Sequence, residues 1–228
     1  VSLIPLDGSP VKVVDLGGAS PTDLAWRPPN GAELLVRASR VDGKVDFYRV
    51  GRDGTLIGQL HLPDAGLFGS DWDVSGPAWS PTGDRIAYNQ VVTVPGTTDG
   101  GHFRIHLVNP DGSGDVALPP PADGEINEAW PVWSPDGRSI AAQRFIFGDP
   151  EQGWLAVLPS DGSAPGHDIL PRLRGVGGIV KTWSPDGTRL VAYTKDTGET
   201  YSIDPATGQI QKMDWSAADL PDFQRLAP

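Results

Sequence analysis

Short apolar runs separated by clusters of Gly, Pro, Asp and Ser cover this chain from end to end. Runs rich in Val, Ile, Leu, Tyr and Phe and bounded by turn residues predict strands, and no long helical periodicity interrupts them. The runs at 3–6, 47–50, 105–108 and 155–158 lead into Asp7-Gly8, Asp53-Gly54, Asp111-Gly112 and Asp161-Gly162. A fifth, altered copy passes from 201–203 into Pro205-Ala-Thr-Gly208. Asp-Gly flanked by alternating apolar positions predicts a hairpin, because Gly supplies the positive φ of the tight turn. A further run follows each turn, as at 11–16, 56–62, 115–118 and 209–213.

A second signature gives these hairpins a period. Trp-Ser-Pro-Asp/Thr-Gly stands at 79–83, 133–137 and 183–187, with a looser Trp-Arg-Pro-Pro-Asn-Gly at 26–31, so the Trp residues are spaced 53, 54 and 50 apart. A strand follows each motif, as at 85–88, 139–142 and 189–193. Each period thus predicts four short antiparallel strands, the unit of a propeller blade. The expected fold is an all-β propeller forming a single domain over 1–228, with units near 24–62, 77–118, 131–170 and 181–214. The fragments at 1–16 and 221–228, the latter with Phe223 in the Trp place, are partial units. They read either as one blade split between the termini or as edges of a six- to seven-bladed parent. The indole is expected to fill the space between blades, and Pro-Asp-Gly to turn the chain.

Composition narrows the partners. With 29 Gly and 23 Pro the chain is not helical, and its net charge of −11 argues against nucleic acid and anionic membranes, which require a basic stripe. A cationic protein or peptide suits the field better. There are no cysteines, so thiol catalysis and cysteine-based metal sites are excluded, and the absence fits an exported protein. No apolar run has the roughly 20 residues of a membrane span. The chain begins at Val1, which leaves a leader, an anchor or further repeats ahead of it open.

Candidate site residues lie where the repeat varies, just ahead of each Trp. Asp123-Gly-Glu-Ile-Asn-Glu-Ala-Trp130 places Glu125, Asn127, Glu128 and Trp130 where a connection enters an inner strand, at the expected funnel mouth. Carboxylates beside an aromatic suit a cationic group or peptide amine. Asp23, Asp73 and Lys181 hold comparable places, and Trp72 and Trp154, outside the repeating position, are candidate aromatic anchors. Asp71-Trp-Asp-Val-Ser-Gly76 resembles the opening of a calcium loop through Asp71, Asp73 and Ser75, but Thr82 stands where the bidentate Glu belongs. A solvated connection is the preferred reading, and no other cofactor is expected. His102 and His106 share a strand face but lie about 13 Å apart, too far to share one metal. No Gly-x-Ser-x-Gly elbow occurs, and a non-enzymatic protein is expected.

Pro-x-Trp-Ser-Pro-Asp-Gly followed by an Ile-Ala-Tyr-type strand resembles the WD40-like (PD40) propeller repeat of the TolB type. The segments 76–88, 130–142 and 181–193 match it closely and 23–38 loosely, with Arg27 and Pro29 replacing Ser and Asp. The resemblance implies an extracytoplasmic bacterial platform that binds a protein or peptide. The alternative it implies is the accessory propeller of a prolyl-oligopeptidase-like or other hydrolase, whose catalytic domain would be separate.

Overall fold

The computed structural model describes residues 1–60, 74–92, 101–146, 153–169, 178–194 and 197–216, with the backbone alone at 74–76, 92, 178–181 and 215–216. The C-terminal partial unit with Phe223 lies outside them, as do Asp71, Trp72 and Asp73.

The elements are strands throughout, with no helix among the described residues. A two-stranded sheet pairs β1 (Ser2–Leu3) with β2 (Lys12–Val13). Four four-stranded antiparallel meanders follow in chain order. The first is β3 (Ser20–Trp26), β4 (Glu33–Ser39), β5 (Val45–Gly51) and β6 (Leu56–Leu60). The second is β7 (Val74–Trp79), β8 (Ile86–Val92), β9 (His102–Val108) and β10 (Val116–Ala117). The third is β11 (Asn127–Trp133), β12 (Ser139–Phe145), β13 (Gly153–Pro159) and β14 (His167–Asp168). The fourth is β15 (Gly178–Trp183), β16 (Leu190–Thr194), β17 (Glu199–Ile203) and β18 (Ile210–Ser216). The first strands of successive sheets lie against one another, β3 on β7, β7 on β11 and β11 on β15, which makes them the inner strands.

Turn chemistry sets this order. Each Asp-Gly turn joins a third strand to a fourth, with the Asp carboxylate accepting the N–H two residues on, as in Asp7–Ser9, Asp53–Thr55, Asp111–Ser113 and Asp161–Ser163. The Gly of each takes positive φ, from 70° at Gly162 to 85° at Gly54 and Gly112. By this criterion β1 and β2 are the third and fourth strands of a partial blade.

The core lies between blades, because alternate residues of a strand face opposite neighbours. Leu35, Phe47 and Leu60 of the first full blade pack on Trp79, Ile86 and Tyr88 of the second. Ile105, Leu107 and Leu118 of the second pack on Ile140, Ala156 and Leu158 of the third, and Leu155, Val157 and Ile169 of the third on Trp183, Leu190 and Ile203 of the fourth. Val14 and Leu16, beyond β2, cover Leu34, Val36 and Val50.

The repeating Trp joins the blades directly. The indole N–H of Trp79 donates to Ala25 O (3.1 Å), that of Trp133 to Ala78 O (3.0 Å) and that of Trp183 to Val132 O (3.0 Å). Each acceptor is the residue just before the Trp position of the preceding blade, so the motif is an inter-blade hydrogen bond as well as a filler.

Candidate functional site: the aromatic shelf at Trp130

The inner strands carry a bulge just ahead of their Trp. In β11 the register passes from Ala129↔Gln143 to Val132↔Ala141, so Trp130 and Pro131 together oppose one residue, Ala142. Such a bulge bends the strand and redirects a side chain. Trp130 is the one non-Gly residue with positive φ among the described residues, at 54°. A non-Gly residue held there costs about 1–3 kcal/mol and persists only where its surroundings over-determine it. Gly76 occupies the equivalent place three residues before Trp79.

The surroundings do hold it. The Trp130 N–H donates to Asn89 Oδ1 on the neighbouring blade (3.3 Å). Its ring, partly exposed, lies 6.0 Å from that of Phe145, which lies 6.0 Å from Phe103, and this places three aromatic rings in a row. Asn127 Oδ1 accepts the Phe103 N–H (2.9 Å), and its amide donates to Glu125 O (3.2 Å) and Phe145 O (3.4 Å).

The connection entering β11 is clamped from below. The Arg104 guanidinium donates to Phe103 O (2.9 Å), Ile126 O (2.6 Å) and Gly124 O (3.0 Å). Burial among these groups lowers its pKa from the ordinary arginine value, only partly offset by the Glu128 charge. Asp123 closes the turn by accepting the Glu125 N–H (3.2 Å), and Glu125 is exposed. The arrangement is a partly exposed Trp130 and Phe145 backed by buried Phe103, with an exposed Glu125 on the clamped connection that enters the strand.

Three expected contacts are corrected. Glu128 is fully buried, not at an open mouth. Its Oε1 accepts from Arg144 Nε (3.0 Å) and Nη2 (2.7 Å), and burial raises its pKa although Arg144 pulls it back. Asn127 is likewise buried and spends its amide on the backbone. Trp154, 1% exposed, stands opposite Arg144 on a middle strand inside the sheet interface and is no surface anchor.

Of the other candidates, only Asp23 has a described side chain. Asp23 lies on β3 and pairs with Arg37 (3.3 Å). Lys181 sits at the bulge of β15, with only its backbone described. Trp72, Asp71 and Asp73 lie outside the described residues, as does the side chain of Ser75, so the calcium reading has no geometry. Phe145, Phe103, Asn89 and Arg104 belong to the shelf and were not anticipated. The available signal was polar Asn89-Gln90 on β8 and the alternating His102, Arg104 and His106 on β9.

No family model matches the chain, and neither does any curated protein. Solved structures do match. A protein described as TolB from Agrobacterium tumefaciens superposes with a TM-score of 0.63 at 23% identity, over 87% of this chain and 67% of that one. A chain of the nidogen/laminin complex gives 0.63 at 13% identity, over 89% and 68%. One of two prolyl endopeptidases gives 0.60 at 15% identity, over 90% of this chain and 31% of the enzyme. The fold is therefore that of a partial β-propeller, whatever the function.

Proposed function

We propose that this chain is a non-enzymatic, TolB-like propeller platform that binds a protein or peptide carrying cationic and apolar groups. The carrying observation is Trp130, held at φ 54° by a bulge and presented on Phe145. Strain maintained in a partly exposed aromatic, on a strand whose entering connection is clamped by Arg104, supports a preformed contact surface. A cation over an indole face gains about 0.5–2 kcal/mol, and Glu125 and the net charge of −11 add attraction. The nidogen/laminin complex supports a protein partner by its printed name, and the likeness to a prolyl endopeptidase supports the accessory-domain alternative no better. An extracytoplasmic place is part of the proposal and draws on the absence of cysteine and the TolB-type repeat.

The test is calorimetric titration with a Lys/Arg- and Leu-containing peptide and with its Asp/Glu counterpart. The cationic peptide should bind, more weakly as salt rises, and Trp130→Gly should weaken it about tenfold or more while melting changes little. Equal behaviour of the two peptides, or unchanged affinity of Trp130→Gly, would overturn the reading.

A further inference from the structure

A pocket of about 510 Å³ opens on the first full blade, between the connection that enters β3 and the turn that joins β4 to β5. Every residue that lines it falls between Leu16 and Gln59, so it is separate from the Trp130 shelf. Pockets of roughly 300–1,000 Å³ with apolar walls and a few polar groups suit small molecules. The apolar wall here is buried Leu16 with Val41 and Leu56, which are 89% and 45% exposed.

Tyr48 of β5 is the polar group at the bottom of this pocket. It is 6% exposed, and its hydroxyl has no hydrogen-bond partner among the described residues. Leaving a buried hydroxyl unbonded is costly, and the second blade shows the alternative. His106 stands, like Tyr48, five residues ahead of the Asp of an Asp-Gly turn, and there Asp115 closes on the ring at 3.3 Å. The field at Tyr48 is negative. Arg40 is held between Asp42 (2.8 Å) and Asp46 (3.3 Å), so two carboxylates meet one guanidinium, and Lys44 of the same turn does not line the pocket. Burial raises the Tyr48 pKa, and Asp46 and Asp42 add to the rise against Arg40. The phenol therefore stays protonated, with oxygen lone pairs that accept a bond from a cation.

We infer that this pocket binds a small organic ammonium ion, a primary amine carrying an apolar body. The body lies on Leu16, Val41 and Leu56, and the ammonium donates to the Tyr48 oxygen while facing half-exposed Asp42 at the rim. An anion of the same shape would meet the two carboxylates with no guanidinium left to balance it. The site stands independently of the peptide-binding reading of Trp130.

The probes are 2-phenylethylammonium and 3-phenylpropionate, a cation and an anion of similar shape, titrated by calorimetry at about pH 7, where the amine is protonated. The cation should saturate a single site and the anion should not bind. Tyr48→Phe should lose about tenfold in affinity with its melting temperature unchanged or raised, because the hydroxyl bonds no described group of the free protein. Asp42→Asn, at an exposed position, should weaken the cation as well. No binding of the cation, equal binding of cation and anion, or full affinity of Tyr48→Phe overturns the inference. Loss of the cation in Trp130→Gly but not in Tyr48→Phe also overturns it, by placing the amine on the aromatic shelf. Tyr48→Phe should leave the binding of the cationic peptide unchanged, so the two sites can fail separately.

Discussion

Ser80, Ser134 and Ser184 do more than precede a proline. Each hydroxyl donates to an Asp of its own turn, Asp84 (2.7 Å), Asp136 (2.6 Å) and Asp186 (2.5 Å), and accepts the N–H five residues on. Hydroxyl donors hold the three carboxyls below the ordinary aspartate range, Thr82 and then Ser80 at Asp84, Ser134 at Asp136, and Ser184 with Thr188 at Asp186, which falls to about 2. A lowered folded-state pKa means that the unfolded chain binds protons first as pH falls. The stabilisation is complete above the unfolded value of 3.8 and is lost as pH falls toward about 2. Thermal melts should therefore drop across that window, and Ser184→Ala should move the Asp186 titration, followed by carboxyl NMR, upward toward 3.8. The turn itself was legible from Pro-Asp-Gly, but the serine's double role was not. In the first full blade Arg27 replaces the serine, and the break was visible although its use was not. Its guanidinium donates to Gly83 O (2.8 Å) and lies 5.2 Å from the Trp79 ring, contacts more than 50 residues away in the chain that no local pattern encodes.

Successive turns stack as elements. Gly83, Gly137 and Gly187 all take φ of 72°, yet their surroundings differ. A Cβ on Gly137 or Gly187 would meet a proline ring of the preceding turn at 3.6 or 3.7 Å, ordinary contact. On Gly83 it would meet Pro28 O at 2.3 Å. Gly137→Ala should thus cost only the positive-φ penalty, about 1 kcal/mol, whereas Gly83→Ala should cost at least twice as much by urea unfolding. The four-stranded units were legible because turn residues punctuate every strand. The inner strands nonetheless begin earlier than the alternation suggests, β3 at Ser20 and β11 at Asn127. Their bulges place two residues against one and so break the period of two on which the reading rested. The same bulge explains why Trp130 was recognised as a candidate while its backbone conformation was not.

For the molecule as a whole, stability resides between blades, and one interface carries a buried ionic link. Arg144 joins Glu128 on the inner strand to Asp168 on the outer one (2.7 Å) and donates to Pro165 O, which ties the third blade across its full width. Its side faces the second blade, whose Arg104 also acts on Glu128, while Asp168 at the outer end is half exposed. Sequence reading placed Glu128 at a surface because the segment ahead of Trp130 is acidic, and only the cross-strand register Glu128↔Arg144 reveals the pair. Removing one member of a buried pair strands the other and costs about 3–5 kcal/mol, whereas replacing both by apolar or neutral groups costs much less. Arg144→Met should therefore destabilise strongly, and Glu128→Gln added to it should restore part of the loss. The pH dependence separates this account from a packing defect. Burial already raises Glu128 above its ordinary 4.5, and without Arg144 the rise is larger. A carboxyl with a raised folded-state pKa favours the fold while protonated, so its contribution is present below 4.5 and is lost as pH rises through the folded value. Urea unfolding of Arg144→Met should show a greater deficit relative to the parent at about pH 8 than at about pH 5, and the double variant should show no such difference. A deficit independent of pH would mean that Arg144 acts through its packed stem alone.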